Sequence, residues 1–541
     1  MLFSILALTV TVRAAIHAAK TRRQRMRLRD SFGKTPDVSY FDGDLDRIRI
    51  YYDLFRSDDV FSIDEITWND LSLDDIFKQL NSAQTISGEQ YLYNLLRTPV
   101  FEKAEYEERL SLIDKMADNE SLRLRIQMQL QRLGRHRSVK LYDTPDSGGR
   151  ARILLYILLD LILAGSVLMT VFLSFQFALL IFSALVGISF IYSNSDYNIS
   201  SFNYIFKMVH VVKIISKYPE PSLKTDAVGL DYALKKLGWL GKIGAIRMLP
   251  SVEVISDALS MLLLIDLITF ELSKNKLSAC FEELMAVNDF LGRLDSSIAI
   301  ASYRAGPRVW CRPEVDFNYS GKGYLKLGNI THPLIKQPVP SSFETGSAML
   351  LTGSNASGKS TFLKAAALGA VFAQSLCLCL ATDYKAPPYR VYSSMALRDD
   401  IKSGESYYIV EIKSIKRIID AAQSVPLVLC IVDEVLRGTN TIERIAASSE
   451  VLLHLGKSSC LCIAATHDVE LCGLLGGIFD SYHFQESIEG DRMTFDYRLY
   501  KGASTSRNAI RLLETMGYDK ALVQGALKRA EGFSNSGNWE K

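Results

Sequence analysis

The hydropathic rhythm of the 541-residue chain changes several times along its length. Ile153–Tyr192 is the sharpest change: 40 residues with one charged side chain, Asp160. A bilayer crossing takes about 20 apolar residues, so the run predicts two helices joined near Ser174–Gln176. A buried hairpin of a soluble domain is the alternative, although soluble helices usually keep a polar face. The spacing is helical on both sides of the run. It extends from Asp44 to Arg135, with breaks at Ser87–Gly88 and Thr98–Pro99, and from Ile199 to about Ser302. The second stretch has no proline and only Gly292 between Val252 and Tyr303, which predicts a long packed lever. Past Gly306–Pro307, short apolar runs at Ala348–Thr352, Leu427–Val432 and Cys460–Ala465 alternate with helical segments. That alternation predicts a mostly parallel sheet flanked by helices.

Charge changes this picture only locally. The 62 Lys+Arg and 60 Asp+Glu leave a net charge of +2, which says little about partners. A charged fraction of 23% excludes a polytopic transporter. Residues 1–40, however, hold eight basic and two acidic side chains, six of the basic ones being Lys20, Arg22, Arg23, Arg25, Arg27 and Arg29. Asp42–Glu89 reverses the balance, with twelve acidic and four basic residues. A basic cluster after an apolar N-terminus reads as a cytoplasmic juxtamembrane patch; a solvated helix face and a nucleic-acid arm are the alternatives. Met1–Ala19, interrupted by Arg13 and His17, reads as a third membrane helix or as an interfacial amphipathic segment. A secretory signal would carry its charge before the apolar run. Arg150 and Arg152 precede the 153–192 run, and Lys207 and Lys213 follow it, so both ends of the hairpin are expected in the cytoplasm.

Eight cysteines are too sparse for a disulfide scaffold and suit a reducing compartment. The C-x-C pairs Cys377/Cys379 and Cys460/Cys462 lie in apolar runs and are expected as core residues on one face of a strand. Zinc sites prefer C-x-x-C with further ligands.

The candidate chemistry lies in the last 230 residues. Gly353-Ser-Asn-Ala-Ser-Gly358-Lys359-Ser360 fits G-x-x-x-x-G-K-[ST]. It stands between the strand-like AMLLT and the helical TFLKAAALGAVFAQ, the setting a phosphate loop needs. The glycines let backbone N–H groups approach phosphates at a helix N-terminus. Gly353, Asn355, Gly358, Lys359, Ser360 and Thr361 are the expected ATP contacts, with Lys359 on the β- and γ-phosphates and Ser360 on Mg2+. A second strand, LVLCIV, runs into Asp433-Glu434. In such a pair the aspartate holds magnesium, usually through water, and the glutamate orients or deprotonates the attacking water. A third strand, CLCIAA, ends at Thr466-His467-Asp468, where His467 is placed to sense the γ-phosphate. A lone histidine is usually structural; the strand-end position argues for function. In DDIKSGESYYIVEIKSIKRII a helix starts at Ser403-Gly404, which suits either an anion site or an ordinary N-cap.

In this order, GSNASGKST, DDIKSGESYYIVEI, VDEVLRGTNT, ATHDVEL and KGASTSRNAI resemble the ATPase domain of the MutS family of DNA mismatch-repair proteins. The resemblance covers roughly Val315–Gly532, opening with NITHPLI at Asn329–Ile335. It extends upstream: Thr85–Asp114 looks like the start of that family's helical core, and Leu284–Val315 like its return helix. The resemblance implies ABC-type nucleotide binding in a homodimer, with Ser403 and Gly404 contacting the γ-phosphate of the opposing site. It places Arg437, Gly438 and Thr439 in an inter-subunit loop and His332 and Pro333 near the adenine. It gives no match for the usual ABC Q-loop glutamine. Leu436 stands where the family usually has glycine, which puts the loop conformation in question. The core motif begins near residue 70, so the mismatch-reading and connector domains are expected to be missing, as is the endonuclease tail of a second subfamily. The apolar 153–192 run occupies the position of the family's DNA clamp.

The sequence therefore predicts a C-terminal α/β ABC-type P-loop ATPase domain behind an all-α MutS-like core and lever, interrupted by a transmembrane helical hairpin. Residues 1–40 form the N-terminal membrane or interfacial segment, 41–149 the first half of the helical core and 150–195 the hairpin. Residues 196–312 form the second half of the core and lever, and 313–541 the ATPase with a helical dimerisation segment. The expected protein is a multi-pass membrane ATPase with its catalytic domain in the cytoplasm. Glu434, His467 and Lys359 carry the catalysis, and Ser360 and Asp433 the metal. Its expected partners are a second copy, the bilayer and a further membrane or protein partner. Two rivals stand: a DNA-binding repair or recombination ATPase at the membrane, and a half-size ABC transporter. The acidic Asp42–Glu89 stretch counts against the first, and the small number of spans against the second.

Overall fold

Three strands in the C-terminal part of the chain are buried at every position: β4 (Ala348–Thr352), β7 (Val428–Asp433) and β8 (Cys460–Ala465). Parallel strands covered on both faces read as continuous apolar runs rather than as alternation, which is why AMLLT, VLCIV and CLCIAA were legible as interior strands. The computed structural model describes residues 2–137, 139, 141–142, 149–220, 227–240, 263–354, 357–395, 407–437, 439–489, 492–504, 510, 513 and 516–536. The chain divides into two units. One comprises Met1–Leu54, Leu80–Tyr93 and Ser111–Gly306; the other comprises Phe55–Gln79, Asn94–Leu110 and Pro307–Lys541.

The second unit is built on a six-stranded sheet. It adds β6 (Arg390–Ser394), β9 (Phe479–Glu489) and β10 (Arg492–Lys501) in the order β10-β9-β4-β8-β7-β6. All neighbours pair in parallel except β10 with β9. A smaller sheet, not anticipated from the sequence, has the order β1-β5-β2-β3 and uses Glu314–Val315, Leu325–Ile330, Ser341–Thr345 and Asp383–Ala386 as β1, β2, β3 and β5. Two N-terminal segments complete this unit. The Asp70 carboxylate accepts from Ser393 Oγ at 2.6 Å and Met395 N at 3.0 Å, so the short helix Glu65–Asp70 caps the open edge at β6. Buried Gln374 donates to Val100 O at 3.1 Å and accepts from Tyr389 N at 2.8 Å. Part of the acidic Asp42–Glu89 stretch is thus used in packing rather than left as solvated charge. Cys460 and Cys462 are buried in β8, as expected. Cys377 and Cys379 are buried too, but Cys377 is not in a strand: it lies just past the helix Lys359–Ser375 with φ 51°, a left-handed exit from the helix.

The first unit is helical among its described residues. The helix Phe281–Arg304 crosses the start of Ile86–Arg97. Ser87–Gly88, read from sequence as a break, lies in the first turn of that helix. Buried Asp295 reaches across to accept from Gln84 N at 2.9 Å, Thr85 N at 2.8 Å and Thr85 Oγ1 at 2.7 Å, so it serves as the N-cap from another helix. The two glycines make the close approach possible. A Cβ on Gly88 would lie 2.2 Å from Asp295 Oδ2, and one on Gly292 would lie 2.7 Å from Tyr91 Cβ and 3.0 Å from Ser87 O. Gly292→Ala is therefore expected to force the helices apart at a cost of about 1–3 kcal/mol. Gly238→Ala, where no atom lies within 4 Å of the added carbon, should change little. Thermal unfolding of both variants by circular dichroism reads the difference.

The apolar run folds as a helical pair. Arg150–Phe172 ends at Leu173, Ser174 caps a 3-10 turn at Phe175–Phe177, and a second helix runs from Ala178 to Ile215. The break falls where the sequence placed it. The two helices meet through Tyr156, Leu163, Ala184 and Ile188, with Leu264 and Leu267 beside them. Large apolar side chains on the outside are bare: Leu161, Val171, Phe172, Phe175, Leu179 and Phe190 are all exposed. Two spans were expected. Among the described residues one helix, Arg150–Phe172, is long and apolar enough to cross a membrane, with a mean hydropathy of 2.3 and only 17% burial in its most apolar window. A further apolar stretch, Phe175–Ile191, follows it, and its helix runs on to Ile215.

Candidate functional site

Strand register assembles the site. Leu351 on β4 and Asp433 on β7 both stand opposite Ala465 on β8. The residues that follow, Gly353, Glu434 and Thr466-His467, therefore emerge together at the carboxyl edge of the sheet. This is the ligand edge of open α/β sheets.

The phosphate loop opens with Gly353 at φ 143° and closes with Gly358 at φ 106°, both conformations that L side chains rarely adopt. A Cβ on Gly353 would also approach Phe484 O to 3.1 Å. The helix Lys359–Ser375 follows, so its N-terminus faces the loop. Lys359 is buried and donates to the carbonyls of Gly353 at 2.8 Å and Ser354 at 2.9 Å. Burial holds its ammonium below the usual lysine pKa, while the carboxylates of Asp433 and Glu434 pull the other way. Ser360 Oγ donates to Asp433 Oδ2. Two hard oxygens joined in this way at a phosphate loop fit magnesium, which keeps several waters and takes the rest of its ligands from phosphate. Among the described residues no cluster of three His, Cys, Asp or Glu forms an all-protein metal cage.

Glu434 and His467 are brought together. Glu434 Oε1 lies 2.7 Å from His467 Nε2, Glu434 Oε2 lies 2.5 Å from Arg437 Nε, and Lys359 Nζ lies 3.5 Å from His467 Nε2. Burial pushes the Glu434 pKa up, but the His467 hydrogen bond and the charges of Arg437, His467 and Lys359 outweigh it and leave it below the usual glutamate value. Glu434 is thus an ionised acceptor at neutral pH. His467 thus contacts the Glu434 carboxylate directly.

A cavity of about 790 Å³ opens over these groups, lined by His332, Lys359, Ser360, Thr361, Asp433, Glu434, Phe484 and Tyr497 among others. Its size and mixed lining suit a nucleotide. His332 Nδ1 accepts from Leu334 N at 3.3 Å, while its buried Nε2 has no hydrogen-bond partner. Burial, with Lys364 nearby, lowers its pKa to about 4, so the ring is neutral and presents Nε2–H. Asn355, Ser403, Gly404 and Gly438 lie outside the described residues.

Several side chains here were missed from sequence. Phe484 on β9 and Tyr497 on β10 wall the cavity, and neither sits in a motif. Arg444 holds Asp468 through two hydrogen bonds of 2.8 and 2.9 Å. Glu411, on the helix Tyr407–Ser424, accepts from the backbone N–H of Leu436 and Arg437. The signal for Glu411 was available: it is an acid on the same helical face as Ile415 and Ile418, a core position that an acid occupies only with a polar task. Leu436 itself has φ 60°, the conformation that glycine adopts freely, so the loop keeps a glycine-like shape with leucine in place.

Residues 349–534 match the family model of MutS domain V. Over 271 residues the chain is 30% identical to the DNA mismatch repair protein MutS of Pseudothermotoga lettingae, covering 48% of this chain and 32% of that protein. The MutS of Natronomonas pharaonis is 29% identical over 269 residues, 48% of this chain and 30% of the relative. The MutS of Thermus thermophilus is 28% identical over 207 residues, 37% and 25% respectively. The match thus spans about a third or less of the length of these relatives.

Proposed function

We propose, from the premise that residues 349–534 form a MutS domain V, that the chain is a membrane-tethered ATPase. It hydrolyses ATP to ADP and phosphate in sites shared between two copies and couples turnover to movement of its helical unit. The observation that carries the reading is the convergence of Lys359, the Ser360–Asp433 pair and the Glu434–His467 pair at one strand edge.

Each residue then has a task. The loop N–H groups and the helix N-terminus bind the phosphates, and Lys359 exchanges the Gly353 and Ser354 carbonyls for β- and γ-phosphate oxygens. Ser360 and Asp433 would hold Mg2+, whose charge, when bound, offsets that developing on the phosphates. Glu434 accepts a hydrogen bond from the attacking water and takes its proton, and His467 fixes the direction of that carboxylate.

Ser403 and Gly404 belong, on this reading, to the site of the partner copy. A Ser403→Arg chain mixed with a Lys359→Ala chain is expected to recover about one competent site per mixed dimer, because each defect falls in a different half-site. Phosphate release by the mixture, against each parent alone, checks this; a mixture as inactive as its parents refutes the shared site.

The bare apolar side chains of the 150–191 hairpin support tethering, with the ATPase unit in the cytoplasm where ATP is. A second reading has DNA as the partner, because the relatives are named DNA mismatch repair proteins. A DNA complex would weaken steeply with salt as phosphate contacts are lost.

A further inference from the structure

We infer that Glu411 is a positioning residue for Glu434, holding the turn that presents the catalytic carboxylate; this rests on the ATPase reading above. The turn is sterically unusual. Glu434 has φ 58° and Leu436 φ 60°, two left-handed side-chain-bearing residues separated by Val435. Such a conformation is disfavoured for any L residue with a Cβ, and it persists only where the surroundings fix it.

Four sets of contacts fix it. Glu434 N donates to Ala465 O at 2.9 Å, which anchors the start of the turn to β8. Ser448 Oγ donates to Val435 O at 2.9 Å. At the far end the Glu411 carboxylate accepts from Leu436 N at 2.7 Å and Arg437 N at 3.2 Å, and Arg437 Nη2 donates back to Asp433 O at 3.1 Å. Glu411 is 2% exposed. Burial raises its pKa, and the two N–H groups with the Arg437 charge oppose that rise. An acid so deeply buried is disfavoured unless it is needed for its acceptor oxygens.

The consequence is geometric. Without those acceptors, Leu436 is free to leave the left-handed region. Arg437 then shifts, and its Nε no longer meets Glu434 Oε2. The carboxylate loses one of its two lateral contacts while every phosphate ligand stays in place. The effect should therefore fall on turnover and not on nucleotide binding. Glu411 lies on the helix Tyr407–Ser424, which follows Ser403-Gly404 in the sequence.

The test uses the detergent-solubilised full chain: wild type, Glu434→Gln, Glu411→Gln, Glu411→Leu and Glu411→Asp. Steady-state ATP hydrolysis, mant-ATP affinity and melting temperature are measured for each. Glutamine keeps an acceptor oxygen at the same reach and should stay within about threefold of wild-type kcat. Leucine keeps the packing but accepts nothing, and aspartate keeps the charge but falls short by a methylene. Both should lose about 10- to 100-fold in kcat, the scale of an ångström-level misplacement, with mant-ATP affinity within about threefold. A role in packing alone would let leucine match or exceed glutamine. Wild-type kcat in Glu411→Leu overturns the assignment; if that variant fails to fold, wild-type kcat in Glu411→Asp does so. A wild type without turnover overturns the ATPase reading and the role of Glu411 with it. Turnover that Glu434→Gln abolishes but Glu411→Leu and Glu411→Asp leave intact overturns the role of Glu411 alone.

Discussion

Replacing Ile153–Tyr192 with a short Gly/Ser linker, in a chain already shortened by residues 1–19, is expected to turn a carbonate-resistant membrane protein into a soluble one. The effect should be close to all-or-none. Arg150–Phe172 has 23 residues, a length of about 35 Å at 1.5 Å per residue, against a hydrocarbon core of about 30 Å. Its partner stretch Phe175–Ile191 packs against it through Ala184 and Ile188. The pair exposes Phe175 at 84%, Phe172 at 79% and Leu179 at 77%, an apolar surface far beyond the scattered single residues usual on soluble proteins. Transfer of such side chains from water is favourable by about 25 cal/mol per Å². Truncation only to residue 19 keeps Leu28, which is buried in the helical unit. The shortened chain with its hairpin should stay in the pellet after carbonate extraction, and the linker variant should appear in the supernatant. A hairpin-bearing chain that washes off would mean that another protein surface, not lipid, covers those side chains.

The sequence made some parts of the molecule legible and hid others, for physical reasons. Parallel interior strands were readable because burial on both faces leaves an uninterrupted apolar signature, as in CLCIAA. The site residues next to them were readable because phosphate binding demands glycines at Gly353 and Gly358 and hard oxygens at Ser360 and Asp433. The turn in the hairpin was readable because Ser174 interrupts a uniform run and caps the short turn that follows. The smaller sheet was not readable, because its strands are two to six residues long and half-exposed, so they carry little pattern. The first turn of Ile86–Arg97 was misread as a break because glycine usually lowers helix propensity; here Gly88 is used for close approach to Asp295. Glu411 lies inside DDIKSGESYYIVEI, but its task was hidden because its partners are backbone N–H groups 25 and 26 positions away in the chain.

Glu434→Gln is expected to leave ATP bound and nearly unreacted. The carboxylate sits between His467 at 2.7 Å and Arg437 at 2.5 Å and is ionised at neutral pH. Glutamine matches its shape and still accepts a hydrogen bond, but it cannot take a proton from water. Loss of a general base typically costs about 100- to 10,000-fold. No phosphate contact is removed, since Lys359, Ser360 and the loop N–H groups are untouched, so affinity for ATP should hold. The decisive measurement is phosphate release with magnesium and ATP by the purified wild type and Glu434→Gln, with nucleotide binding measured on the same samples. The account predicts magnesium-dependent turnover by the wild type, and equal binding with turnover at least about 100-fold slower in the variant. Hydrolysis at the wild-type rate by Glu434→Gln, or binding without turnover by the wild type, would contradict it.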